Sequence, residues 1–323
     1  MGRSLAAVAV FLAALGGLAQ EPYAILTGHT GPIWGLDLSP DGRYLVTAGG
    51  CFDKIVRLWD VELKMEIYPF KGSIDRVMAV SFNADGKTIA SVAPMERAVR
   101  LWDVDSGACE LLESHAGALM TVSFSPKGGF LAAGAASGKV ELWRVSPEGY
   151  TRLFLLSEPT DEVEDVAFSP DETLLAAAAK DGNVYIWDTA IGKLVVAISA
   201  HEGGARGVAF SPNGKLIATC GTDYLVKIWE GTSWRLLRAL AGHRWFVNDV
   251  SFSPDGRILA SACSDGTIIL WDPASGEALA TLKGHRKPVT GVAFSPEGKL
   301  LASSSADKTV ILWDMTSFGE PRR

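Results

Sequence analysis

The sequence predicts an all-β chain: a closed ring of seven four-stranded antiparallel units. Three observations predict it. The stretch 282–314, LKGHRKPVTGVAFSPEGKLLASSSADKTVILWD, recurs along the chain, bringing back a tryptophan at Trp59, Trp102, Trp143, Trp187, Trp229, Trp271 and Trp313, at intervals of 41 to 44 residues. Within each copy, short apolar runs alternate with turn sequences such as Ser39-Pro40-Asp41-Gly42, Asn83-Ala84-Asp85-Gly86, Ser211-Pro212-Asn213-Gly214 and Ser253-Pro254-Asp255-Gly256. The glycine in each supplies the positive φ of a tight turn between strands. Finally, residues 22–27, PYAILT, read as the end of a repeat, like EALATL at 277–282 and RLLRAL at 235–240. A fourth strand thus precedes its first three, and the seventh copy has three strands without a fourth.

Each copy then supplies an inner strand ending near Ser-Pro, a second strand of the LLASS type, a third ending at the tryptophan and an outer fourth. The tail after Asp314, MTSFGEPRR, offers no outer strand. Tyr23 to Leu26 therefore completes the seventh unit, and closure leaves only short edges. Gly284-His285 opens the seventh copy and Trp313-Asp314 closes it, with W-D also at Trp59-Asp60, Trp102-Asp103, Trp187-Asp188 and Trp271-Asp272. Trp143-Arg144 and Trp229-Glu230 depart from the pair. A period of roughly 40 to 45 residues with this opening and close resembles the WD-repeat β-propeller family, over nearly everything after residue 21. The resemblance implies one seven-bladed propeller over 20–323.

Residues 1–19 read differently. Arg3 is followed by an apolar run from Leu5 to Leu15 and by small residues at Gly17 and Ala19, the pattern of a secretory signal peptide cut after Ala19. The run is shorter than the roughly 20 apolar residues of a membrane span. Export to the periplasm or outside the cell is therefore expected, without stable membrane insertion once the segment is cut. A membrane anchor and a misplaced start codon, the latter leaving the protein cytoplasmic, are the alternatives.

The formal net charge of −7 and pI near 5.3 would set most of the surface against a phosphate backbone or an anionic lipid face. Nucleic acid is not an expected partner. Cys51, Cys109, Cys220 and Cys263 fall in different repeats without C-x-x-C spacing, so a zinc site is excluded on pattern. Four free thiols are expected.

His29, Thr47, Asp53 and Trp59 recur as His201, Thr219, Asp223 and Trp229, as His243, Ser261, Asp265 and Trp271, and as His285, Ser303, Asp307 and Trp313. Four copies argue for structure rather than a catalytic triad. The resemblance implies a buried relay in each: indole N–H to hydroxyl, hydroxyl to imidazole, imidazole to the turn carboxylate. All five histidines, His115 included, occupy this one repeat position, and no H-x-H or H-E-x-x-H spacing offers a metal. Blades two to four depart, with Ser73, Ser91, Glu96 and Trp102, then His115, Ala133, Ser137 and Trp143, then Glu158, Ala177, Asp181 and Trp187. Drift and specialisation both account for that.

The resemblance also points to partner binding on the face bearing the loops into the first strands. Equivalent positions there are Trp34, Met78, Met120, Glu164, Arg206, Asn248 and Thr290, with Arg76, Glu162 and Phe246 two residues earlier in their repeats, and Phe52 and Lys180 before the network aspartates. Trp34, Phe52, Met78, Met95 and Met120 gather on blades one to three, with Trp245 and Phe246 across the ring. These side chains either cap the channel or serve as interface anchors. Asp161, Glu162, Glu164 and Asp165 make an acidic rim, solvated or receiving a partner's Lys or Arg. Calcium is a weak candidate there, because the D-x-D-x-D-G form is missing. The expected function is a non-catalytic scaffold, monomeric alone and without cofactor, for a protein or peptide. A secreted propeller hydrolase or lactonase is the alternative, with only Glu162, Glu164 and Arg206 as candidates, and a structural element of a larger assembly is a third reading.

Overall fold

The computed structural model describes residues 21–318. The expected signal segment, Met1 to Ala19, lies outside them. Seven four-stranded antiparallel sheets are present, and the only helical turn among the described residues is the 3-10 turn Thr316–Phe318. Blade one is a simple meander through Ile33–Leu38, Tyr44–Gly49, Val56–Asp60 and Met65–Phe70. Blades two to seven begin with inner strands Ala79–Phe82, Leu119–Phe124, Val163–Phe168, Ala205–Phe210, Val247–Phe252 and Val289–Phe294. Each inner strand packs on the next, and the seventh packs on the first.

Closure occurs as the sequence predicts, one residue further along. Ala24–Thr27 pairs antiparallel with Thr309–Asp314, in the register Ala24 to Leu312 through Thr27 to Thr309, and Tyr23 N–H donates to Leu312 O at 2.8 Å. Leu26 of this strand is buried.

The core lies between blades. Leu26, Val310 and Leu312 of blade seven pack with Trp59 of blade one, and Ile186 and Ile198 of blade four pack with Trp229 of blade five. A four-stranded sheet is apolar on both faces here, so each unit is covered only by its neighbours.

Polar groups also tie the blades together, at positions the sequence reading did not single out. Asp37 accepts Phe82 N–H of blade two at 2.7 Å, and Ser81 Oγ accepts Phe124 N–H of blade three at 3.1 Å. Asp165 accepts Val208 N–H at 2.9 Å and Asp249 accepts Val292 N–H at 2.8 Å. Burial pushes the Asp37 carboxyl up to about 6. Burial likewise raises Asp165 and Asp249, each felt through the charge of a neighbouring carboxylate.

Candidate functional site on the loop face

The relay forms in three of the four blades that carry its residues. In blade five, Trp229 Nε1–H donates to Thr219 Oγ1 at 2.9 Å, His201 Nε2 lies 2.8 Å from that hydroxyl, and Nδ1 lies 2.7 Å from Asp223. Blade seven repeats it at 2.9, 2.8 and 3.0 Å through Trp313, Ser303, His285 and Asp307. Blade one does so through Trp59, Thr47, His29 and Asp53. Against burial, which raises it, the hydrogen bonds from His29 and Arg57 hold the Asp53 carboxyl down at about 2, and His201 and Lys227 do the same to Asp223. These carboxylates are committed to structure.

Blade six does not complete the relay that its sequence implies. Trp271 and His243 meet Ser261 Oγ at 2.8 and 2.6 Å, but Asp265 turns to Thr267 and the Arg244 N–H instead. His243 Nδ1 is left buried without a hydrogen-bond partner among the described residues.

Blades two to four are rewired rather than merely eroded. Glu158 reaches Trp187 Nε1 directly at 2.9 Å, replacing hydroxyl and imidazole together. Glu141, fully buried, accepts Ser114 Oγ–H at 2.6 Å and His115 N–H at 2.9 Å, while the His115 ring itself is exposed. Ser91 holds Trp102, but Glu96 pairs with Ser73 and Arg100.

At the centre of the loop face a β-bulge re-aims one side chain in each of six blades, blade two excepted. The inner-strand register slips by one residue between Ile33 and Gly35, Leu119 and Thr121, Val163 and Asp165, Ala205 and Gly207, Val247 and Asp249, and Val289 and Gly291. The residues skipped are Trp34, Met120, Glu164, Arg206, Asn248 and Thr290, which the bulge releases from the ladder. Together with Met78 they line a channel mouth of about 430 Å³. The equivalent positions named from sequence thus converge on one cavity.

Its lining is internally bonded. Arg206 donates to Asn248 Oδ1 at 3.0 Å and lies over the Phe246 ring at 5.3 Å, while Asn248 reaches Val289 O at 2.7 Å. Trp34 is half-buried against Gly50, where an added Cβ would come within 2.5 Å of its Nε1. That nitrogen and Arg76 Nε are buried without hydrogen-bond partners among the described residues. The acidic rim is not free: Lys180 Nζ sits 2.6 Å from Glu162 and 3.0 Å from Glu164, so the place proposed for a partner's cation is filled by the chain's own lysine.

Such a ring of seven repeats, with its W-D closes and Ser/Thr-His-Asp relays, is matched by the family described as WD40, WD domain, G-beta repeat, over residues 20–60, 65–103, 192–230, 234–272 and 276–314, more than half of the chain. The chain belongs to the WD40 family. Residues 122–204 of this WD40 propeller also match the Anaphase-promoting complex subunit 4 WD40 domain. It is similar to a guanine nucleotide-binding protein subunit beta-like protein of Encephalitozoon cuniculi, 31% identical over 134 residues, covering 40% of this chain and 39% of that protein. The Target of rapamycin complex subunit wat1 of Schizosaccharomyces pombe is 30% identical over 125 residues, 38% of each chain. An alignment spans about two fifths of the length of these curated relatives.

On this WD40 propeller the large side chains named from sequence divide into two sets. Trp34, Met78 and Met120 are half-buried at the channel mouth, whereas Phe52 (84%), Met95 (74%) and Trp245 (51%) are open to solvent. Sequence reading missed Tyr224. Its ring stacks on Trp245 at 6.0 Å and meets Phe246 at 5.7 Å, closing a three-ring cluster with the Trp245–Phe246 pair at 5.5 Å. Tyr224 has φ 69°, like Lys54, Arg97 and Lys308 at the equivalent turns of blades one, two and seven, whereas blades three, four and six use Gly138, Gly182 and Gly266. A bulky residue held in that region costs about 1 kcal/mol or more, and the position right after the network Asp223 was the available signal.

Proposed function

We propose that the chain is an exported, non-catalytic scaffold that holds a protein or peptide partner on its loop face, with Tyr224, Trp245 and Phe246 as the anchor. The observation that carries this reading is the exposed three-ring cluster, retained with Tyr224 in a strained turn and backed by Arg206. Half-exposed aromatics packed as a rigid platform offer large contact area at little entropic cost, the character of interface hot spots. The protein-assembly names of relatives such as the Target of rapamycin complex subunit support the same reading.

The partner is proposed to engage the rings first and the channel mouth second. A partner lysine or arginine enters only by displacing Lys180 from Glu162 and Glu164. Monomeric behaviour alone and lack of nucleic-acid binding follow the negative charge and closed ring. Export rests on the segment from Met1 to Ala19, and N-terminal sequencing of the native protein tests it: a mature chain beginning at Met1 in the cytoplasm overturns it.

The binding test is affinity capture from the native envelope fraction, followed by calorimetry with what is recovered. Trp245→Ala should weaken binding by about 2 kcal/mol or more with the melting temperature held, while Tyr68→Ala, on the exposed outer strand of blade one, should change nothing. Equal binding by wild type and Trp245→Ala overturns the assignment of the anchor.

A further inference from the structure

Blade six departs from its relatives at one residue. The position two before the network aspartate is Gly221 in blade five, where an added Cβ would fall within 2.5 Å of the His201 ring. In blade one the position facing that aspartate is Gly49, where a Cβ would fall 2.8 Å from Asp53 Oδ2. Blade seven places Ser305 there, turns its hydroxyl to Pro288 O at 2.9 Å, and keeps the His285–Asp307 bond. Blade six places Cys263 there, with Sγ 3.4 Å from Trp245 O, and its imidazole and carboxylate are no longer bonded.

The result is a convergent donor set. His243 Nδ1, Cys263 Sγ and an Asp265 carboxylate oxygen all lie within 4.8 Å of one another. Ser261 Oγ accepts Trp271 Nε1–H at 2.8 Å and directs its own proton to Ile269 O at 3.3 Å. It therefore accepts from His243 Nε2–H at 2.6 Å, which leaves Nδ1 as a lone pair aimed into the gap. His243 is only 8% exposed, whereas Asp265 opens the group to solvent.

We propose that His243, Cys263 and Asp265 form a zinc site on the loop face, with its fourth position open to solvent. Imidazole, thiolate and carboxylate are zinc donors, and metal distances of about 2.0 to 2.3 Å need only a modest closing of these three side chains. Calcium and magnesium favour all-oxygen sets. On binding, the Cys263 S–H proton passes to solvent and the sulfur coordinates as thiolate. Loss of that proton ends the Cys263 Sγ–H donation to the Trp245 carbonyl, so bound metal would alter how the loop carrying Trp245 and Phe246 is held.

The test uses untagged protein with the exposed Cys51 and Cys109 changed to Ser, titrated with Co2+ and then Zn2+. One equivalent of Co2+ should give a thiolate charge-transfer band and tetrahedral visible bands, both displaced by Zn2+. Cys263→Ser should abolish the charge-transfer band, and Asp265→Asn, at an exposed turn that tolerates it, should weaken Co2+ by roughly tenfold or more. Cys220→Ser, buried in blade five, should leave the spectrum unchanged. Absence of a stoichiometric band, its survival in Cys263→Ser, or unaltered affinity in Asp265→Asn overturns the site.

Discussion

Blades seven and four bury the same indole by different means. In blade seven the Trp313 N–H meets Ser303, which is fully buried and held in turn by His285 and Asp307. In blade four a single exposed glutamate, Glu158, reaches in to Trp187. What these two blades share is a partner for the buried indole donor, not a particular triad, because an unpaired group costs about 1 to 3 kcal/mol. The relay is thus replaceable wherever a longer acceptor can arrive from the rim.

The largest effect concerns what both blades rely on, the closed ring. Deleting Pro22 to Thr27 removes the outer strand of blade seven and exposes the Thr309–Asp314 edge, so aggregation is expected by size-exclusion chromatography. A soluble monomer with the wild-type melting temperature would show that the blades hold without closure. Next, Ser303→Ala strands both the Trp313 N–H and the His285 ring where water cannot reach, and about 3 kcal/mol or more should be lost in denaturant unfolding. Glu158→Ala opens a path for water to Trp187 and should cost about 1 kcal/mol. Equal losses would break the comparison.

A smaller effect separates the relay from the inter-blade clasps by pH. Asp37 is raised from 3.8 to about 6, so its contribution is full below 3.8 and is lost as pH rises toward 6. Asp53 is lowered to about 2, so its contribution is full above 3.8 and is lost as pH falls toward 2. Asp37→Asn should therefore remove the decline between 3.8 and about 6 while leaving the acid limb in place, as read by urea unfolding across that range. Retention of the decline would assign it to Asp165 and Asp249. The smallest effect is Tyr224→Gly, which trades ring stacking for a relaxed turn and should shift stability by no more than about 1 kcal/mol. Partner affinity should nevertheless fall, and calorimetry distinguishes the two.

Period and turn chemistry made the fold legible, because each repeat writes the same strands and the same tight turns. Position in the repeat also brought Trp34, Met120, Glu164, Arg206, Asn248 and Thr290 to one mouth, although the bulge that turns them there has no residue signature. What stayed hidden depends on distances between neighbouring loops: the grip of Glu162 and Glu164 on Lys180, the stacking of Tyr224, and the loss of the His243–Asp265 bond beside Cys263. None is visible in linear spacing, since each joins separate loops.

The closing strand has a consequence for the order of folding. Ala24–Thr27 leaves the ribosome long before Thr309–Asp314, its one sheet neighbour among the described residues, exists. Through nearly all of synthesis it is a solitary apolar segment with nothing to pair with, while the blades behind it can already stack. Latching is then the last event, and its rate is set by a loop spanning almost the whole ring.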